Sequence, residues 1–214
     1  MATTRKSRRR DVSSGNPSPF LRALVAESLA ADDVEPVGAL AATVAKVARA
    51  GEGQPHLPQA VAAAIAAAAN GLGPLSLLHN ATQGVRLNAL RGGPLDKRGV
   101  GSRLLNEQGE FMTAEFERLK GFASPKTAAD GRSEPGVDSK ELRRFMDANF
   151  ERAKGQRRRI DRALMDGEWP ILLKVMGRDG AQGRYLSVAE LETLFAERRL
   201  PERMRERMGA AGAR

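Results

Sequence analysis

Apolar residues recur at helical spacing along most of the chain. Phe20, Leu21, Leu24, Val25 and Leu29 share one face directly after Ser18-Pro19. A serine cap with proline in the first turn predicts a helix start there. A second helix is predicted from Pro36, with Val37, Leu40, Val44 and Val47 on one side, ending at Gly51. A third starts at Pro58, carries Val61 and Ile65, and stops at Asn70-Gly71. A fourth is predicted over 74–90, stopped by Arg91-Gly92-Gly93. No segment sustains alternation of apolar and polar residues, so the predicted class is all-α, a helical bundle.

The same periodicity continues in the second half. Leu142, Phe145, Met146 and Phe150 form a stripe after Asp138. Pro170 is expected to open a helix containing Ile171, Leu172, Val175 and Met176, ending at Gly177. Trp169 then anchors the junction in the core. Val188, Leu191, Leu194 and Phe195 line the last amphipathic helix. The expected organisation is a disordered basic tail (1–17), an N-terminal helical region (18–93), a second helical region (95–200) and a fraying basic tail (201–214). The boundary near Gly92–Gly101 is soft.

Three windows in the second region share a plan: a polar, glycine-containing loop, an apolar residue, then a glutamate opening an amphipathic run. They are 104–115, 130–141 and 179–190. This plan resembles the EF-hand superfamily, a helix, a 12-residue loop and a helix. The resemblance implies calcium, a hard cation that takes six to eight oxygens from alternate loop positions and a closing bidentate glutamate. It would place ligands at Asn106 and Glu115 in the first window. The second is the richest in charge, with Asp130, Glu134, Asp138 and Glu141. The third offers Asp179 and Glu190. The departures are plain: Leu104 has no oxygen to give, Pro135 and Arg184 stand where the turn glycine belongs, and Arg132, Ala181 and Gly183 occupy ligand positions. A metal-free reading stands beside it. Asp138-x-x-Glu141 and Ser187-x-x-Glu190 are both capping boxes, and Thr113 can cap the helix after the first window.

Charge changes the picture less than its total suggests. The net charge is +9, but residues 1–10 carry five cations and residues 198–214 carry six arginines against two glutamates, which leaves the middle neutral. Basic ends can bind phosphates without sequence preference, and nucleic-acid association through them is one alternative reading. No aromatic interleaves with either end, so base stacking has no candidate there. Arg152, Lys154, Arg157, Arg158, Arg159 and Arg162 form an internal basic stretch that reads as a solvated face. The abundance of alanine and arginine is what a GC-rich bacterial genome gives. The absence of cysteine excludes disulfides, thiolate metal sites and a cysteine nucleophile. Arginines near the start do not lead into an apolar run, and the longest apolar stretch, 60–69, is too short for a bilayer. A soluble, cytoplasmic protein with no membrane span is the expectation.

Catalytic signals are thin. There is no G-x-S-x-G, no phosphate-binding glycine loop and no H-E-x-x-H. Two histidines, His56 and His79, cannot make a histidine-rich zinc site. His56 sits in a Gly/Pro/Gln loop; His79, on a leucine-rich helix, reads first as a satisfied core residue. Its combination with EF-hand-like units is similar to the plant caleosin peroxygenases, a resemblance that would make His79 a haem ligand. The family's proline-rich segment and full calcium loop are missing here. The functional expectation is a non-enzymatic interaction or regulatory protein, calcium-responsive if the windows bind metal. A haem-dependent oxidoreductase using His79 is the alternative.

Overall fold

A computed structural model of the chain describes residues 11–55, 57–71, 73–93, 96 and 100–212. The expected basic tail at 1–10 and His56 lie outside the described residues. Ser18 does cap the first helix, accepting from the Leu21 amide at 3.4 Å. Helix α1 spans Pro19–Ala26, α2 Val37–Arg49, α3 Gln59–Ala68 and α4 Pro74–Gln83. The fourth ends earlier than its pattern suggests. Gly84 turns the chain at φ +95°, and Val85 pairs with Glu35 in an antiparallel bridge. The following residues form only a short 3-10 turn, Leu87–Ala89. Residues 11–17 are tied down rather than loose. The Ser13 amide donates to Asp32 at 2.8 Å, and the buried Arg22 guanidinium donates to the carbonyls of Ser13 and Asn16.

The all-α expectation is wrong. Beyond α5 (Thr113–Lys120) lie β1 (Ser124–Thr127) and β2 (Ser133–Asp138), then α6 (Ser139–Arg152) and α7 (Asp161–Met176). Next come β3 (Arg178–Gly180), β4 (Gly183–Ser187), α8 (Val188–Ala196) and α9 (Glu202–Gly212). The strands form one antiparallel sheet of order β1-β2-β4-β3. The fold is mixed α and β. The strands escaped the sequence pattern because they are three to six residues long and rich in Gly, Pro and charge. Each hairpin, β1–β2 and β3–β4, lies between two helices, and the two hairpins join through β2 and β4. Val137 pairs with Leu186 at the centre of that junction, flanked by Gly136 with Ser187 and Asp138 with Tyr185. Both central residues are the eighth of their windows, so the second and third windows pair about a local twofold.

Two further expectations are corrected. Pro170 does not open a helix but sits inside α7. It forgoes one backbone hydrogen bond there, while Trp169 beside it is buried between Phe145 (6.3 Å, edge-on) and Phe195 (6.5 Å, stacked). The segment after Leu200 does not fray. It forms α9, with Leu200 and Met204 fully buried. One continuous core runs from Leu24 of α1 through Phe145, Trp169 and Phe195 to Met204, so the two expected regions share their interior. Among the described residues no helix is long and apolar enough to cross a membrane.

Candidate functional site

The window 130–141 builds a hairpin and a helix start from its carboxylates. Asp138 caps α6, accepting from the amides of Lys140 (2.8 Å) and Glu141 (3.0 Å), while Glu141 accepts from the Asp138 amide (2.8 Å). The predicted capping box is present. Lys126 of β1 then inserts its ammonium between the two acids, 2.9 Å from Asp138 and 2.8 Å from Glu141. Its side chain is only 6% exposed. Ser124 adds a hydroxyl bond to Glu141 at 2.5 Å. Burial opposes ionisation of both acids, but the bonds from Lys126 and from the capping amides outweigh it for Asp138. For Glu141 the bonds from Lys126 and Ser124 do the same. Both carboxyls are held below their ordinary range.

The other carboxylates of this window point to other partners. Asp130 sits exposed in the hairpin turn and binds Arg132 at 2.6 Å. Glu134 reaches across the sheet, accepting from Tyr185 Oη (2.7 Å) and Ser187 Oγ (2.8 Å) and pairing with Arg178 (2.8 Å). Burial, and then this bond, push the Tyr185 phenol up. The four acids therefore fall into three separate groups.

The window 179–190 departs from its predicted capping box. The Ser187 hydroxyl is committed to Glu134, and it makes no cap bond to α8. Glu190 instead receives the Arg203 guanidinium from α9, Nε at 2.7 Å and Nη2 at 2.8 Å. Arg203 also donates to the Met176 carbonyl at the end of α7. Asp179 pairs with Arg184, and its amide donates to Glu52 at 2.6 Å.

In the window 104–115 the loop is a tight turn, closed by Gly109 N to Asn106 O (3.0 Å) and Met112 N to Leu104 O (2.9 Å). Gly109 has φ +73°, and the Arg22 guanidinium packs where a side chain would stand. The Asn106 side chain serves Glu110, accepting from its amide and donating to its carboxylate. Glu115 takes a bidentate bond from Arg152, 2.7 Å on each oxygen, and this bond holds its carboxyl below the usual range. Thr113 does not cap α5; it is the first residue inside it.

All three closing glutamates are thus met by cations of the chain itself: Glu115 by Arg152, Glu141 by Lys126 and Glu190 by Arg203. Among the described residues, no cluster of three or more acidic or histidine side chains has the geometry to hold a metal ion. The residues do not fit the calcium that the resemblance implies, because bidentate glutamate and converging acids are what such a site needs. Nor does His79 fit a haem. It stands exposed on α4, not buried as its leucine neighbours suggested. An axial ligand needs an enclosing pocket, and the His79 side chain stands in the open. The basic stretch is mostly consumed locally: Arg158 pairs with Asp161, Arg162 with Asp147 and Asp166, and Arg157 with Glu151.

One groove among the described residues combines an apolar floor with unpaired cations. This groove, of about 580 Å3, opens between α6 and α7 beside β4. Leu142, Met146, Met165, Trp169 and Leu173 make its apolar lining; Lys140, Arg143 and Lys174 line it as well, beside Asp166, which pairs with Arg162, and Arg184, which pairs with Asp179. Those three cations are exposed and carry no ion pair among the described residues. The Trp169 indole N–H is buried without a hydrogen-bond partner, which is a costly state for a donor. Nothing in the sequence signalled this groove, since its apolar residues read as core and its cations lie outside the basic stretch 152–162. No family model matches the chain, and no curated protein or solved structure matches it either.

Proposed function

We propose that the protein is a metal-independent protein-interaction module whose α6–α7 groove takes an acidic, amphipathic segment of a partner. The observation that carries this reading is the groove's own chemistry. Its lining is aliphatic, methionine and tryptophan, which suits a row of apolar side chains. Lys140, Arg143 and Lys174 carry no ion pair among the described residues, and the carboxylate in the lining, Asp166, is held by Arg162, so a partner with carboxylates beside its apolar row complements the three cations. The paired windows act as the frame. Lys126 and Arg203 supply the positive charge that a metal would supply elsewhere, which fixes α6 and α8 on the sheet without an ion.

Trp169 is the chain's single tryptophan, so its fluorescence reads the groove directly. The probe is a synthetic helical peptide with leucines on one face and glutamates on the other, titrated in the presence of a chelator. The expected result is a saturable emission change that weakens with salt. Lys140→Glu with Lys174→Glu weakens binding by about tenfold or more. An equal response to the peptide with lysines in place of glutamates, or no saturable response to either, overturns the reading. Dependence on calcium overturns its metal-independent part.

A further inference from the structure

From Gly53 to Val85 the chain contains no Asp, Glu, Lys or Arg, although charged residues make up 29% of the whole. This uncharged stretch contains α3 and α4. Helix α4 is built inside out. Its buried residue is polar: Asn80 is 2% exposed and donates to the Ala67 carbonyl of α3 at 2.8 Å. Its leucines face the other way, with Leu75 83%, Leu78 61% and Leu77 37% exposed. The helix is nonetheless held firmly. Ser76 packs against Gly71, and the Asn70 side chain bonds the Arg86 amide at 2.9 Å and the Ala89 carbonyl at 3.2 Å. A rigid helix that turns its leucines to water and its asparagine inward has a surface shaped for cover.

We infer that a second copy of this chain covers α4, the two helices packing antiparallel about a twofold axis. Charge selects this occupant. The α3–α4 stretch offers no ionic group to steer or hold an acidic or basic partner, so the complementary face is itself uncharged and apolar. The α4 face has that character itself, and the exposed Val61 and Ile65 of α3 lie in the same uncharged stretch. Leu75, Leu78 and Thr82 follow the i, i+3, i+7 spacing of a packing seam. In an antiparallel isologous contact Leu78 lies near the axis, and Leu75 packs toward Thr82 of the other copy. The helix is ten residues, about 15 Å long. One such contact buries less than the roughly 1,200 Å2 of a standard interface, so the dimer is weak and concentration-dependent, in the micromolar range or above.

The test is sedimentation velocity of the full chain from micromolar to near-millimolar concentration. The expected result is a mass that rises toward twice the monomer's, and its loss in the variant carrying Leu75→Glu and Leu78→Glu. Both side chains are exposed in the monomer, so the fold tolerates the change, and unaltered circular dichroism checks that. Because the chain has no cysteine, Leu78→Cys adds a single thiol and is expected to form a disulfide-linked dimer on mild oxidation, while Ile171→Cys on α7 is not. A chain that stays monomeric throughout, or a dimer indifferent to the two glutamates, overturns the inference. So does a monomer that floats with phosphatidylcholine vesicles in a leucine-dependent way, which would assign α4 to a lipid surface.

Discussion

Glu141 and Glu190 occupy equivalent places, each the third residue of the helix that leaves a strand of the central β2–β4 pair. Their surroundings differ. Glu141 closes a capping box with Asp138 and receives its cation from Lys126, in the strand beside its own. Glu190 has no box, because Ser187 is turned toward Glu134, and its cation arrives from α9 at the end of the described chain. The first unit is complete within one hairpin. The second is complete only when α9 has docked. A charge at the same position can therefore be local scaffolding in one half of a pseudo-symmetric pair and a long-range tie in the other.

The largest break in this comparison is at Lys126. Its side chain is 6% exposed and lies between two acids. Lys126→Ala leaves two carboxylates facing each other with no cation, a change that costs about 3–5 kcal/mol in denaturant unfolding. The acid-side pH dependence should also become shallower. In the natural chain both carboxyls are depressed, so their stabilisation is present above the ordinary carboxyl range of about 4 and is lost as pH falls through the lower folded values. Without Lys126 the capping amides and Ser124 still oppose burial, but the acids lose part of their depression. The variant should therefore lose less stability than the natural chain as pH falls from 7 toward about 4. Equal slopes for the two proteins over that range would show that Lys126 is not the charge that depresses these acids.

Arg203 should matter less and reach further. Its pair with Glu190 is partly exposed, at 16% and 18%. Arg203→Ala is expected to cost about 1–3 kcal/mol. The signature that separates it from Lys126 is spatial. Amide exchange should accelerate through α9 and at the C-terminal end of α7, where Arg203 holds the Met176 carbonyl, while β1 and β2 stay protected. Acceleration confined to the β1–β2 hairpin would reverse the assignment of which half is self-contained.

What was legible in the sequence follows the same division between local and distant. Ser18-Pro19, Pro36 and Pro58 placed the starts of α1, α2 and α3, and Asp138-x-x-Glu141 placed that of α6, because each signal acts within a few residues. Gly84 hid the end of α4, since a single glycine in a leucine-rich pattern does not announce the bridge from Val85 to Glu35. The strands were hidden because SPKT, SEPGVD, RDG and GRYLS carry no alternating pattern; only their pairing makes them strands. Lys126 and Arg203 were invisible for a different reason. They are two of thirty-five Lys and Arg residues, and only the fold distinguishes a cation committed to a closing glutamate from one in water. The second helical face of α9 was masked likewise, its buried Met204 standing among arginines.

The smallest expected effect lies at Asp130, the first residue of the window with the most acids. Position and charge made it the natural first ligand of a calcium loop. In the fold it sits in the hairpin turn with Arg132, their side chains 46% and 76% exposed, and it shares no partner with Asp138 or Glu141. A pair that open to solvent contributes little, because screening and side-chain entropy offset its attraction. Asp130→Ala should leave the denaturant midpoint indistinguishable from that of the unaltered chain. It should leave a calcium titration as flat as that of the unaltered chain. A saturable calcium heat in the unaltered chain that disappears with Asp130→Ala would mean that the hairpin opens and brings its acids together around the ion. The two halves of the sheet would then differ not in where their cations come from but in whether one of them can be displaced.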